Sequence, residues 1–428
     1  MSSLRPRLLP FSFAVAFVLP LIVTLDIHAQ EWTRFRGPNG SGIGHITGLP
    51  ARITKADYDW AVKLDGIGHS SPVVWGQKLF LTLLEKDGRH REIQCRDTRS
   101  GKLLWKWKTG LQKHNLHRYN DFASSTPTVD KDRVYAVWGS GTTTQAIALN
   151  HDGELQWRRQ WPGFTSDHGF ATSPVLIGGK LIFHTDALAE KKSYVIALNP
   201  ETGESAWQFE RVTKGGQDVK HITAYNTPIA VTSGGIETIV ALQTNDGWKG
   251  LDPANGEVVW AYAGNYTLRT VGSFAESDGI LFATFGSGGQ GKNATALKMN
   301  GTPAPDVLYE LGIKDGLSYV PTPLIYKDRL FIWGDGGVLC CRDLKTGKEI
   351  YRERVSGNFF SSPIFADGKI YCASRDGELV CVAAEGPFQI LGRSRLESGV
   401  NATPAIANQR LFVRTDTHLF SVKGESKE

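Results

Sequence analysis

One short motif returns along this chain at near-regular intervals: two mostly small or polar residues, then proline, then an apolar run. It occupies Ser70–Pro72, Ser125–Pro127, Thr172–Pro174, Asn226–Pro228, Pro321–Pro323, Ser361–Pro363 and Ala402–Pro404. Gly272–Phe274 is a degenerate copy that fills the one wide gap, so eight copies follow one another 40 to 55 residues apart. A repeat of this period limits the fold severely. Each unit is one supersecondary element that cannot bury its own apolar face and must stack on its neighbours.

A second signal closes each unit. A small residue is followed by Asp or Asn, a turn glycine, and an aromatic four residues after the glycine. The glycines are Gly101, Gly153, Gly203, Gly256 and Gly347, and the aromatics are Trp105, Trp157, Trp207, Trp260 and Tyr351. Gly386 with Ile390 is a worn copy. Gly301 opens the fifth, where an insertion holding Pro303 and Pro305 displaces the aromatic to Tyr309. Asp97, Asn199, Asp252 and Asp343 can accept hydrogen bonds from backbone two residues on, and the glycine supplies the positive φ of a tight hairpin.

Between the two signals lie short apolar runs. In the first unit they are SPVVWG, KLFLTLL, EIQCRD and KLLWKWK. Four strands per unit, with no helical periodicity, predict an all-β, eight-bladed β-propeller of four-stranded antiparallel blades. The ends of the chain support ring closure. The last unit, NATPAIANQRLFVRTDTHLFSVKGES, has three strands and no aromatic fourth, whereas TKADYDWAVKL supplies a lone aromatic strand around Trp60. The last blade is therefore expected to be closed by this N-terminal strand, leaving no open edge. The propeller is assigned to residues 51–424 and an irregular segment to 30–50.

Adjacent cysteines at Cys340 and Cys341 invite a redox or metal reading. The repeat argues for packing instead. The aligned third-strand positions are Cys95, Ala148, Ala197, Gly250, Ala296, Cys341, Cys381 and Ser421, all small. Cys340 precedes Cys341 in one strand, so the two side chains are expected on opposite faces, badly placed to bond to each other. Cys372 falls in a second strand and reads the same way. Five cysteines also leave at least one thiol unpaired in an exported protein.

Residues 1–29 read as a secretory signal peptide: Arg5 and Arg7, a largely apolar run from Leu8 to Leu25 broken by Pro10 and Pro20, and Ala29 before Gln30. The expected location is periplasmic or secreted. No cysteine stands near the cleavage site, so no lipid anchor is expected. A net charge of +5 without a dense Lys/Arg stripe argues against nucleic acid. A monomer is expected.

Segments such as CRDTRSGKLLWKW, ALNPETGESAWQF and CRDLKTGKEIY resemble the PQQ-like (quinoprotein-type) β-propeller repeat with its tryptophan-docking motif. The opening EWTRFRGPNGSGIG is similar to the start of exported bacterial members. The resemblance implies a BamB-like architecture and three kinds of function. One is an exported binding or scaffold propeller with an envelope or secreted protein partner and no cofactor. Another is a dehydrogenase of alcohols or sugars using pyrroloquinoline quinone (PQQ) with Ca²⁺. The third is a small-molecule or polysaccharide sensor. The metal ligands and catalytic Asp of the dehydrogenases do not map onto positions here, and the adjacent cysteines stand in a repeat strand rather than a cofactor-covering loop. The scaffold reading, without enzymatic activity, is the expectation.

Propellers bind ligands at the mouth of the central channel, through loops leading into the innermost strands. These loops carry His69, Arg118, Tyr119, Asp121, Asp167, His168, His221, Arg269 and Asn358, the candidate ligand-binding set. Trp60, Trp105, Trp157, Trp207, Trp260 and Tyr351 are assigned to structure. His114 and His117 in HNLH lack an acidic or cysteine partner at metal spacing. Asp167-His168 is not accompanied by a nucleophile motif. GSGGQG (286–291) is followed by a strand and not a helix, so it reads as an inter-strand loop. Trp32, Arg34, Phe35 and Arg36 lie outside the repeats and are expected to plug one face.

Overall fold

The computed structural model describes residues 31–162, 168–187, 192–211, 224–243, 247–264, 266 and 269–425; the expected signal segment lies outside them. The strands form eight antiparallel sheets arranged as propeller blades. The innermost strands begin right after the proline motif: Val73–Trp75 in blade 1, Thr128–Val129 in blade 2, and so on to Ala405–Ala407 in blade 8. Blade 1 carries an additional short strand, Gly66–Ile67. Blade 8 takes three strands from the C-terminal end and its fourth, Tyr58–Lys63, from the N-terminal end, with Trp60 opposite Ser421. Among the described residues no helix is long and apolar enough to cross a membrane.

The proline motif has a physical explanation. The middle residue of each triplet is always Ser or Thr. The backbone N–H of Ser71 donates to Thr126 Oγ1 of the next blade, and that of Thr126 to Ser173 Oγ. The same bond runs from Thr227 to Ser273, Ser273 to Thr322, Thr322 to Ser362, and Ser362 to Thr403. Thr403 N–H returns to Ser71 Oγ at 3.0 Å, so seven of the eight steps around the channel carry this bond. A ring of buried hydroxyls thus satisfies backbone donors that the crowded channel hides from water. Ser273 keeps this role in the degenerate copy that has lost its proline.

The closing motif also acts between blades. Trp60, Trp105, Trp157 and Trp207 each lie over the turn glycine of the next blade, Gly101, Gly153, Gly203 and Gly256. Each indole N–H donates to a carbonyl of that turn: Thr98, His151, Pro200 and Pro253. Those glycines have φ between 69° and 88°, and a Cβ on Gly101 would stand 2.5 Å from the Trp60 ring. Glycine is required there twice over, by conformation and by contact. Tyr309 takes the same place on Gly347 and donates to Leu344 O. Trp260 departs from the pattern. It is buried in the layer between blades 4 and 5, donates to Thr238 Oγ1 of its own blade, and lies against the bare Cα of Gly250, while the Gly301 turn meets Gly234 instead.

The core is therefore a ring of layers between blades. Cys341 packs with Phe331, Ile370 and Val380 toward blade 7, whereas Cys340 packs with Phe282 and Ala296 toward blade 5. All five cysteines are free and buried. Burial pushes the Cys341 thiol up to about 11 and those of Cys95 and Cys381 up to about 12. Thiolate is the reactive form. Titration of the native protein with Ellman's reagent at pH 8 is expected to detect none of the five thiols, and denaturant to expose all of them. A fast native thiol would contradict the packing assignment.

Candidate functional site

Residues 31–44 cross one end of the channel and stop it. Trp32 bridges to Val74 of blade 1, Thr33 O accepts from Val129 N–H of blade 2, and Asn39 exchanges two hydrogen bonds with Ala230 of blade 4. Arg34 donates to Pro228 O. Arg36 donates to Pro323 O at 2.9 Å and Pro363 O at 3.3 Å. The expected plug is thus what the aromatic and basic residues build. Both arginines are buried, and among the described residues neither faces a carboxylate within ion-pair distance. Desolvation pulls their guanidinium groups down to about 9, which still leaves them charged at neutral pH.

Phe35, between them, forms part of the floor of a pit of about 710 Å³ that opens at the other end of the channel. Ser71, Thr126, Ser173, Thr227, Thr322, Ser362 and Thr403 of the hydroxyl ring line it above the floor. Six of the nine candidate residues reach its wall: His69, Arg118, Tyr119, His168, Arg269 and Asn358. Asp121 does not. It is buried behind the wall, accepts the Ala123 N–H at 2.6 Å, and faces His69 Nε2 at 3.3 Å. Its place is that of a positioning partner for the loop and for His69. Asp167 and His221 lie outside the described residues. The two histidines of HNLH part company: His117 stacks on His168 with ring centroids 5.2 Å apart, while His114 packs edge-on to Phe122. Desolvation lowers His114 to about 4, so it is neutral.

Residues not singled out from the sequence complete the wall. Arg375 and Arg118 both lie against the Tyr119 ring, at 4.1 Å and 4.5 Å from its centroid, and Arg375 also covers Phe360 at 4.4 Å. Tyr225 meets His168 edge-on. Tyr319 and Arg269 also stand on this wall. Gly288 and Gly289, the positive-φ turn inside GSGGQG, also reach the wall. Asp335 is the one carboxylate on the wall among the described residues. It accepts the backbone N–H groups of Tyr319 and Val320, and desolvation raises it to about 6.

The donor set has a clear chemical sense. Ca²⁺ takes six to eight oxygen ligands, several of them carboxylates. Among the described residues this wall offers three guanidinium groups, three imidazoles and a single carboxylate already engaged by backbone donors. That described set does not fit a Ca²⁺ site. Among the described residues the one cluster of metal-ligating type, Glu85, Asp87 and His90, lies elsewhere, with the Lys108 ammonium already on Glu85.

Comparison with known proteins agrees with this architecture. A family model described as "Outer membrane protein assembly factor BamB" matches residues 89–273 and 316–386, more than half of the chain. The assembly factor BamB of Escherichia coli K12 is 23% identical over 195 residues, covering 44% of this chain and 45% of that protein. BamB of Marinobacter adhaerens is 28% identical over 91 residues, 21% of this chain and 23% of that one. The matches thus span less than half the length of these relatives. Among solved structures, BamB from Moraxella catarrhalis superposes with a TM-score of 0.61 at 15% identity, covering 86% of this chain and 97% of that chain. A quinohemoprotein alcohol dehydrogenase, ADHIIG of Pseudomonas putida HK5, gives 0.67 at 14% identity, with 93% and 81% covered. These superpositions speak for the fold alone.

Proposed function

Because the chain belongs to the PQQ-repeat family described as outer membrane protein assembly factor BamB, we propose that it is an exported binding scaffold that engages a protein partner of the cell envelope through the loop face around the pit. One observation carries this reading: a channel stopped at one end and open at the other, its mouth built from loops of several blades and edged by Tyr119, 37% exposed and flanked by two arginines. Tyr and Arg are the residue types enriched at the centres of protein interfaces. A rigid ring holds them, so little ordering entropy is lost on docking.

The test is site-specific photo-crosslinking in envelope preparations from the source organism. A crosslinking amino acid at Tyr119 is expected to give a discrete adduct. The same group at Leu104, on the outer edge of blade 1, is the control. Adducts from Leu104 alone, or none from either, would remove the loop face from consideration. The dehydrogenase alternative needs a quinone held with Ca²⁺, and the described residues of the wall do not make up a ligand set for that metal. Incubation with PQQ and Ca²⁺ followed by desalting is expected to leave no chromophore and an unchanged melting temperature. A retained chromophore with a rise in Tm would restore the enzymatic reading, since native-state binding stabilises.

A further inference from the structure

We infer that the pit is an anion receptor, and that the partner part it takes is an acidic loop or tail whose carboxylate side chains enter the mouth. This rests on the scaffold reading above and adds the chemistry of the partner.

Arg118, Arg269 and Arg375 come from three different blades and converge on one pit, and none has an ion-pair partner among the described residues. Arg269 Nε is buried without a hydrogen-bond partner among them. Arg118 and Arg375 share the Tyr119 ring, so two like charges are held near each other. Beneath them Arg34 and Arg36 add two more cations under the floor, compensated only by carbonyl oxygens. Among the described residues one carboxylate stands on the wall itself, Asp335, whose own ionisation burial resists, while Asp376 and Asp416 stay on the rim and Asp121 turns toward His69. A stopped, low-dielectric pit focuses such a field toward its open end.

Carboxylates suit this set better than other groups. Guanidinium forks bind them in bidentate geometry, and charge-assisted bonds are the strong ones. Asn358 and Asn401 edge the same mouth, with their amides held by Asp376 and Asp416 on the rim, so the polar rim is already organised. The aromatic contacts of Tyr119 and Phe360 keep the arginine planes fixed before a ligand arrives. Long-range attraction of this kind acts on the association rate and weakens with salt.

The measurement is fluorescence anisotropy with a fluorescein-labelled hexapeptide of alternating Asp and Glu, using the full mature chain. The controls are the matching Asn/Gln peptide, and citrate as a free small anion. The acidic peptide is expected to bind, to lose at least tenfold in affinity between 50 and 300 mM salt, and to outcompete citrate. The double variant Arg118→Gln/Arg375→Gln alters exposed or half-exposed side chains and is expected to keep the wild-type Tm while binding at least tenfold more weakly. Equal binding of both peptides, or unchanged binding by the double variant, would overturn the inference. Tighter binding of citrate than of the peptide would make the pit a small-molecule receptor and overturn it too. The crosslink from Tyr119 separates the two readings. If it survives in the double variant at high salt, the scaffold stands and the acidic partner falls. If it is absent in the wild type, the scaffold reading itself has failed.

Discussion

Trp60→Ala is expected to lower stability by about 3–5 kcal/mol, the range for removing a large buried aromatic. The ring is 9% exposed and joins three parts of the molecule. Its strand pairs with His418–Lys423 of blade 8, its face covers Gly101 of blade 1, and its indole N–H donates to Thr98 O at 2.9 Å. It also meets Phe412, with centroids 6.0 Å apart. Trp157 makes comparable contacts between blades 2 and 3, where the chain itself already links the blades. Urea denaturation of both alanine variants isolates the contribution of closure. The closure model expects Trp60→Ala to be the more costly and to raise the unfolding rate more. Equal costs would reduce Trp60 to one docking residue among several. Trp60→Phe should recover most of the loss, short of about 1 kcal/mol for the missing hydrogen bond.

That so local a residue could be picked out from the sequence reflects the repeat. A propeller writes the same physical problem eight times, so each solution recurs at a fixed offset. The proline motif and the turn glycines were visible for this reason, though not the hydroxyl ring and the docking they serve, and so was the answer to the cysteine pair. Cys341 stands opposite Tyr351, just as Cys95 stands opposite Trp105 and Ala197 opposite Trp207. A small residue under each aromatic is a packing rule, and a thiol satisfies it.

The pit was less legible, and its residues show why. Loops break the repeat, because function requires the blades to differ there. His69, Arg118, Tyr119, His168, Arg269 and Asn358 were within reach because they immediately precede the inner strands. Asp335 and Arg375 were missed because they sit between the second and third strands. Those turns open at the same end of the channel, and both residues stand twelve positions after the motif prolines Pro323 and Pro363. The register that located the strands therefore contained the signal. Asp121 lies off the wall for a different reason: a carboxylate beside the mouth can turn inward to hold its own loop, and sequence carries no sign of that choice.

Trp260 marks the limit of reasoning by repeat, and it sets up the sharpest test of packing. Its offset from Gly256 is that of the other blades, yet its ring does not dock on the next turn. The cause is one residue away across the sheet. Gly250 stands opposite Trp260, where blades 2 and 3 have alanine and blades 1 and 6 have cysteine. Without a Cβ there, the indole folds inward and reaches Thr238 Oγ1 at 2.9 Å. A Cβ at position 250 would lie 1.9 Å from Trp260 Nε1, so Gly250→Ala cannot be accommodated without moving the ring. The outward position is not ready to receive it, because the Gly301 turn packs on Gly234 and Pro303 O accepts from Ala261 N–H. We expect Gly250→Ala to cost about 1–3 kcal/mol by overpacking, despite restoring the residue common at this position. In a Trp260→Leu background the same change should cost almost nothing, because the clash has gone. The difference between the two costs is the coupling energy of the pair. Equal costs in both backgrounds would mean that the ring already lies outward, on the turn of the next blade, like its counterparts.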